Sequence, residues 1–246
     1  MALLYRKIVD DVTYEVRSAG RTRRLYTNGV LHTQYNPGRI WGNGIWDAIA
    51  YPALLTGCWQ PRVLLLGLGG GAVLHVLQQL LEPRRLTAIE IDPVHIGIAR
   101  RWFGIEQTSV DIVHADAFNW VPQCKDTFDV IVDDVFVHHP TGDPYRPTGS
   151  ESTWRAQLQS LQSGKGVLIR NHIDPTSSRL DAQNLTSRGD TVIECRVPSY
   201  CNVVTAAFQE PLNLRSARAR NRGPRVISCS TVRPPSGILT SRDNGR

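Results

Sequence analysis

Through about residue 35 the chain alternates as strands do. Val12, Tyr14 and Val16 fall on one face with polar residues between them, Ser18-Ala19-Gly20 turns the chain, and Leu25-Tyr26 resumes the pattern. Asn28-Gly29 between Leu25-Tyr26-Thr27 and Val30-Leu31-His32 predicts a two-residue hairpin, because both central positions of that turn favour positive φ. A Gly-, Pro- and Asn-rich loop over 37–44 and a helix from about Ile45 to Leu55 follow. From Pro61 the period changes: the short apolar runs Val63–Leu66, Leu86–Ile89, Val110–Val113, Phe128–Val132 and Gly166–Ile169 are separated by helical segments, the first with Val73, Leu74, Leu77, Leu80 and Leu81 on one stripe. Val63–Leu66, a short continuous apolar run, is what burial on both faces of a parallel sheet produces. Asp92-Pro93 starts one helix, with Asp as its cap and Pro in its first turn. Thr191–Arg196 and Asn202–Phe208, joined around Pro198-Ser199-Tyr200, predict a closing antiparallel hairpin. The expected fold class is therefore α/β, a doubly wound, mostly parallel sheet with an antiparallel last strand behind a small N-terminal β domain. The expected divisions are 1–56 for the hairpin domain and linking helix, 57–210 for the sheet domain, and 211–246 for a flexible basic tail rich in Arg, Pro and Ser.

Charge changes this picture in one place. The net charge of +6 over 246 residues comes from the tail, where eight arginines face one acid, Asp243; residues 1–210 carry 20 basic and 21 acidic side chains. The body thus has no electrostatic footprint for nucleic acid, which only the tail could engage. A 41% hydrophobic content excludes a wholly disordered, collagenous or coiled-coil chain. No apolar run reaches the roughly 18 residues of a membrane span, and acidic residues follow directly on the short apolar start, so a cytoplasmic protein without a leader is expected. Five cysteines without CxxC spacing argue against a metal site or a disulfide framework. Cys195 and Cys201 are placed to face each other across the hairpin, but buried reduced thiols are the expectation.

Four features at the carboxyl ends of the predicted strands carry candidate chemistry. Gly67-Leu68-Gly69-Gly70-Gly71-Ala72 lies between a buried strand and a helix, where glycine allows a tight turn and a close ligand, and the helix N-terminus offers N–H groups. Such a loop serves NAD, FAD and S-adenosylmethionine alike. Glu90 ends the second strand, where a carboxylate can accept from both ribose hydroxyls. Asp116, just past the third strand, can accept from an adenine amino group, with Ile91, Ala117 and Phe118 beside the ring. Asp133-Asp134 ends the fourth strand; adjacent in sequence, the two point different ways, so one of them faces the ligand.

Together, "RVLLLGLGGG", "LTAIEIDP", "VDIVHADAFNWV" and "FDVIVDD" resemble the spermidine synthase family, the polyamine aminopropyltransferases and their S-adenosylmethionine-dependent methyltransferase relatives, over about residues 10–210. The resemblance implies a class I S-adenosylmethionine-methyltransferase (Rossmann-like) fold. It implies Gly67, Gly69 and Gly71 around the methionine part of the cofactor, Glu90 on the ribose, Asp116 on the adenine, and Asp133 beside the sulfonium and the nucleophile. It also makes a homodimer an expectation by analogy. The chain departs from the aminopropyltransferases where a polyamine would bind. Gly70 stands in place of an Asp, Phe136 in place of the second acid of D-x-x-D, His32 in place of a Gln, and Gly44-Ile45-Trp46 in place of Tyr-His-Glu. Asp134 could compensate in part for the lost acid, and His138, in His138-His139, could serve as general base. Trp41, Trp46 and Tyr51 could line an apolar acceptor pocket.

These residues lead to an S-adenosylmethionine-dependent transferase, with methyl transfer to a small-molecule nucleophile favoured. Aminopropyl transfer from decarboxylated S-adenosylmethionine comes second; an NAD-dependent oxidoreductase and a non-catalytic scaffold remain open. No metal is expected, and the acceptor stays undetermined.

Overall fold

The computed structural model describes residues 1–137, 145–146, 151–220 and 223–233. Its first unit is a four-stranded antiparallel meander of β1 (Ala2–Val9), β2 (Val12–Ala19), β3 (Thr22–Thr27) and β4 (Val30–Tyr35). Asn28 and Gly29 take φ of 48° and 82°, the turn predicted for this dipeptide, and Asn28 Oδ1 accepts from the Thr13 N–H at 2.7 Å. The inner face of the meander buries Tyr14, Val16 and Leu25 against Ile98 and Phe103 of the following domain. A buried acid, Asp47, folds the loop before α1 (Ile45–Ala50) by accepting from the Gly42 and Asn43 amides at 3.1 and 2.6 Å.

The second unit is an eight-stranded sheet. Its strands are β5 (Arg62–Leu66), β6 (Arg85–Glu90), β7 (Val110–His114), β8 (Phe128–Asp133), β9 (Gln162–His172), β10 (Thr191–Arg196), β11 (Val203–Phe208) and β12 (Ser228–Thr231), in the order β12-β10-β11-β9-β8-β5-β6-β7. The pairs from β9 through β7 are parallel, and β11, β10 and β12 run antiparallel to their neighbours. Helices α2 (Ala72–Leu81), α3 (Pro93–Phe103), α4 (Ala117–Trp120), α5 (Glu151–Leu161) and α6 (Pro175–Ser187) cover the two faces. The alternation of β5 divides the core accordingly: Val63 and Leu65 join the cluster containing α1 and α2, whereas Leu64 and Leu66 join the one containing α5. Because β6 lies on one side of β5 and β8 on the other, the chain switches direction there, and a crevice opens above the carboxyl ends of these strands.

Two expectations are corrected here. The tail is ordered in part: α7 (Leu214–Arg220) carries the buried Ala217, the buried Ile227 directly precedes β12, and β12 extends the sheet along β10. Its strand reads Ser-Cys-Ser-Thr, with no apolar alternation to betray it, so backbone pairing rather than side-chain pattern makes the element. The thiols are corrected with it. Cys195 is joined to Cys229 of β12, directly opposite in the register with Cα atoms 4.2 Å apart, and not to the exposed Cys201. A bridge spanning 34 positions stabilises by about 3–4 kcal/mol through the denatured chain. Cys229→Ala is therefore expected to lower the unfolding free energy by about 2–4 kcal/mol, read from urea titrations under non-oxidising and oxidising conditions. Equal stability of the variant and the wild type would show that the bridge adds nothing. Among the described residues, no helix is long and apolar enough to cross a membrane.

Candidate cofactor and transfer site

The crevice holds a cavity of about 400 Å³. Its floor is the glycine loop, and Gly67 is there for a steric reason. At φ +85° a Cβ would run into the main-chain oxygen of Asp134, so the ends of β5 and β8 can only approach this closely without a side chain. Gly67 and Gly69 line the cavity, but Gly71 does not. Gly71 caps α2 in the left-handed region, and a Cβ on it would strike Ile105; its place in the motif answers to packing rather than to ligand contact. Thr33 of β4 accepts from the Gly70 amide at 2.7 Å, tying the meander to the loop.

Glu90 is buried at the cavity wall. Its Oε2 accepts from the Leu68 and Gly69 amides at 2.8 and 3.1 Å, and its Oε1 accepts from the Asp92 amide at 2.9 Å. A carboxylate has about four acceptor positions, so Glu90 shapes the loop with three of them and retains one for a ligand hydroxyl. Asp116 caps α4, accepting from the Phe118 amide at 2.9 Å and from Asn119 Nδ2 at 3.0 Å, which leaves capacity on both oxygens. Ile91, Ala117 and Phe118 stand beside it on the same wall, and the Phe118 ring packs on Trp154 with centroids 4.4 Å apart.

The two adjacent acids are placed the other way round from the expectation. Asp133, expected beside the reacting centre, is fully buried and absent from the cavity lining. It sits opposite Arg170 in the β8–β9 register and accepts from Arg146 (2.7 Å to each oxygen), Arg170 (3.0 Å) and Trp154 Nε1 (3.1 Å). Burial alone would raise its pKa, but the two guanidinium groups bring it down to about 2. One residue further, Asp134 points the other way and lines the cavity, with Oδ1 accepting from Asn171 Nδ2 at 2.8 Å. Burial pushes its carboxyl up to about 7, and the charges of Asp133 and Glu90 push in the same direction against Asn171 and Arg146. A strand turns successive side chains to opposite faces, so only one of the pair could reach the cavity, and the register with Arg170 decides which.

Behind Asp133 the ion pairs continue. Asp181 accepts from Arg155 at 3.0 Å and Arg170 at 2.6 Å, and Arg170 also reaches Glu151 at 2.8 Å. His138 lies outside the described residues, as does His139. Two other histidines line the cavity: His32, and His95 on α3, whose Nε2 is 2.9 Å from Thr27 Oγ1. Trp46 lines it too, edge-on to Tyr200 at 6.1 Å, whereas Trp41 and Tyr51 pack on each other elsewhere in the core. Asn171 and Asn202 complete the wall. The signal for Asn171 is present in the sequence, since Arg170-Asn171-His172 puts polar groups at the carboxyl end of an apolar strand, where such sheets bind ligands.

Residues 63–155, which hold the glycine loop and all four candidate acids, match the family of methyltransferase domains. The eEF1A lysine and N-terminal methyltransferase homolog of Drosophila melanogaster is 35% identical over 80 residues, which are 31% of this chain and 12% of that protein. The polyamine aminopropyltransferase of Neisseria meningitidis serogroup B is 27% identical over 160 residues, 63% of this chain and 59% of that one. The chain thus spans a small part of the first relative and somewhat over half of the second. Among solved structures, a probable spermidine synthase from Corynebacterium glutamicum superposes with a TM-score of 0.73 at 17% identity, over 94% of this chain and 91% of the other, a likeness of fold. Residues 63–155 are thus similar to methyltransferase domains, and the chain is similar both to methyltransferases and to polyamine aminopropyltransferases.

Proposed function

We propose that the protein transfers a methyl group from S-adenosylmethionine to a nucleophilic nitrogen or oxygen of a small molecule. One observation carries this reading: the methyltransferase-domain match covers Gly67, Glu90, Asp116 and Asp134, which line one cavity at the sheet's switch point. The cavity suits the cofactor. About 400 Å³ lies within the range of small-molecule sites, about 300–1,000 Å³. Glu90 and Asp116 keep free acceptor positions for hydroxyl and amino donors, and the loop backbone is bare where a Cβ would intrude. When bound, the cofactor supplies an activated methyl on a positively charged sulfur.

The chain's own residues then have three tasks. Glu90 and the loop hold the nucleoside, and Asp116 with Ile91 and Phe118 holds the base. Trp46, Phe136 and Val135 exclude water around the acceptor, which favours charge neutralisation on attack. Asp134 accepts the acceptor's proton at a carboxylate oxygen; a carboxyl titrating near 7 is poised to do so at physiological pH.

A second reading, aminopropyl transfer, is favoured by one feature: among the described residues, no lysine or arginine lines the cavity to meet an amino-acid carboxylate. Thermal denaturation separates the two. S-adenosylhomocysteine at 100 times its dissociation constant is expected to add about 2.7 kcal/mol of stability, more than methylthioadenosine, decarboxylated S-adenosylmethionine or NAD at matched concentration. Preference for decarboxylated S-adenosylmethionine transfers the proposal to aminopropyl chemistry, and no shift with any of the four removes the enzyme.

A further inference from the structure

We propose that Asn171 and Asn202 form a directed amide relay that aims the Asp134 carboxylate into the cavity, a positioning role that rests on Asp134 being the proton acceptor. Asn171, one residue before the end of β9, is almost wholly buried, and its Nδ2 donates to Asp134 Oδ1 at 2.8 Å. Its Oδ1 accepts from Asn202 Nδ2 at 3.1 Å, and its main-chain oxygen accepts from Arg146 at 2.7 Å. Asn202 stands just before β11, whose first residue, Val203, pairs with His172, so the antiparallel register brings the two amides together.

The relay has one permitted direction. An ionised carboxylate only accepts, so Asn171 must turn its amide nitrogen toward Asp134, and its oxygen then points away and needs a donor. Asn202 supplies that donor. Turned over, Asn171 would set its oxygen against the Asp134 oxygens and its nitrogen against the Asn202 nitrogen, two repulsive contacts in place of two hydrogen bonds. In the orientation it takes, Asn202 completes the bonding of an Asn171 turned toward the anion, without touching the carboxylate.

The other groups facing Asp134 do not replace the relay. Arg146, after β8, favours the anion, but its guanidinium is bonded to Asp133 and to the Asn171 carbonyl. Asp133 on β8 and Glu90 on β6 oppose the anion. Asn171 hydrogen-bonds the Asp134 carboxylate directly.

The test follows the Asp134 carboxyl by NMR in the full chain carrying ¹³C-carboxyl aspartate, its resonance assigned by its loss in Asp134→Asn. Asn171→Leu, close in volume, is expected to raise the titration midpoint by about one pH unit, roughly tenfold in proton affinity. Asn202→Leu should move it by about half as much in the same direction. The second variant leaves the bond to Asp134 in place, so it keeps the test open if Asn171→Leu does not fold. A side chain that only packs would leave both midpoints unmoved, and that result, with Asp134→Asn inactive, overturns the relay alone. An Asp134→Asn enzyme that still turns over overturns the proton-acceptor reading and the positioning role with it; the titration, which needs no turnover, separates the two failures.

Discussion

Asp134→Asn is expected to lose about 10²- to 10⁴-fold in turnover, the usual contribution of a positioned proton acceptor, while still binding S-adenosylhomocysteine. The cofactor contacts argued above are carried by Glu90, Asp116 and the glycine loop, none of which the substitution touches. Turnover is measured as methyl transferred from labelled S-adenosylmethionine to a panel of small amines and hydroxyl compounds. In the wild type it should rise with pH and level off above about 7, because the carboxyl titrates near 7 and only its ionised form accepts a proton. In the variant that limb should vanish. Stability moves the other way. A carboxyl whose folded pKa lies above its unfolded value gives stability that is present at low pH and is lost as pH rises through the folded value. At pH 8 the wild type therefore bears a buried anion that the asparagine does not, and Asp134→Asn should be more stable there by about 1–2 kcal/mol, with the cavity's solvent reducing the full linkage value. A gain in stability with a loss of turnover marks a group held for chemistry. If turnover stays within about threefold of wild type, Asp134 is not the proton acceptor.

How much of this was legible in the sequence depends on which physical cue each part carries. The parallel core announces itself because β5, β6, β8 and the second half of β9 are largely buried on both faces and so read as mostly apolar segments. Asn28-Gly29 and Asp92-Pro93 announce themselves because their chemistry fits few conformations; Asp92 accepts from the Val94 amide at 2.7 Å as a cap should. The choice between Asp133 and Asp134 was not legible. Two adjacent carboxylates are locally equivalent, and what separates them is Arg170, distant in sequence, which the β8–β9 register sets opposite the first. The pairing of Asn171 with Asn202 was hidden for the same reason, since only the β9–β11 register joins them. Composition suggested a featureless tail because the polar β12 is held by the ladder to β10 and by the disulfide, neither of which leaves a hydrophobic period.

The network that removes Asp133 from the cavity makes the second large prediction. Arg170 is 1% exposed and bridges Asp133, Asp181 and Glu151, whose charges hold its own proton more firmly than usual. Arg170→Met keeps most of the aliphatic volume but takes one cation from a cluster whose buried anions, Asp133 and Asp181, cannot follow it into water. Removing one partner of such a pair costs about 3–5 kcal/mol, equivalent in a chain of this size to a fall of about 6–20 °C in Tm. The pH dependence identifies the cause. Asp133 has a folded pKa of about 2, below its unfolded value, so its contribution is complete above the unfolded pKa and is lost as pH falls toward 2. In Arg170→Met that depression shrinks, so the variant's deficit should be largest above about pH 5 and should narrow as the pH approaches 3. Asp133→Asn should show the same narrowing from the opposite partner. Urea midpoints taken across pH 3–8 decide it: a deficit independent of pH would mean that lost packing around Arg170, not the uncompensated carboxylates, accounts for the destabilisation, and the charge network would then be incidental to the fold.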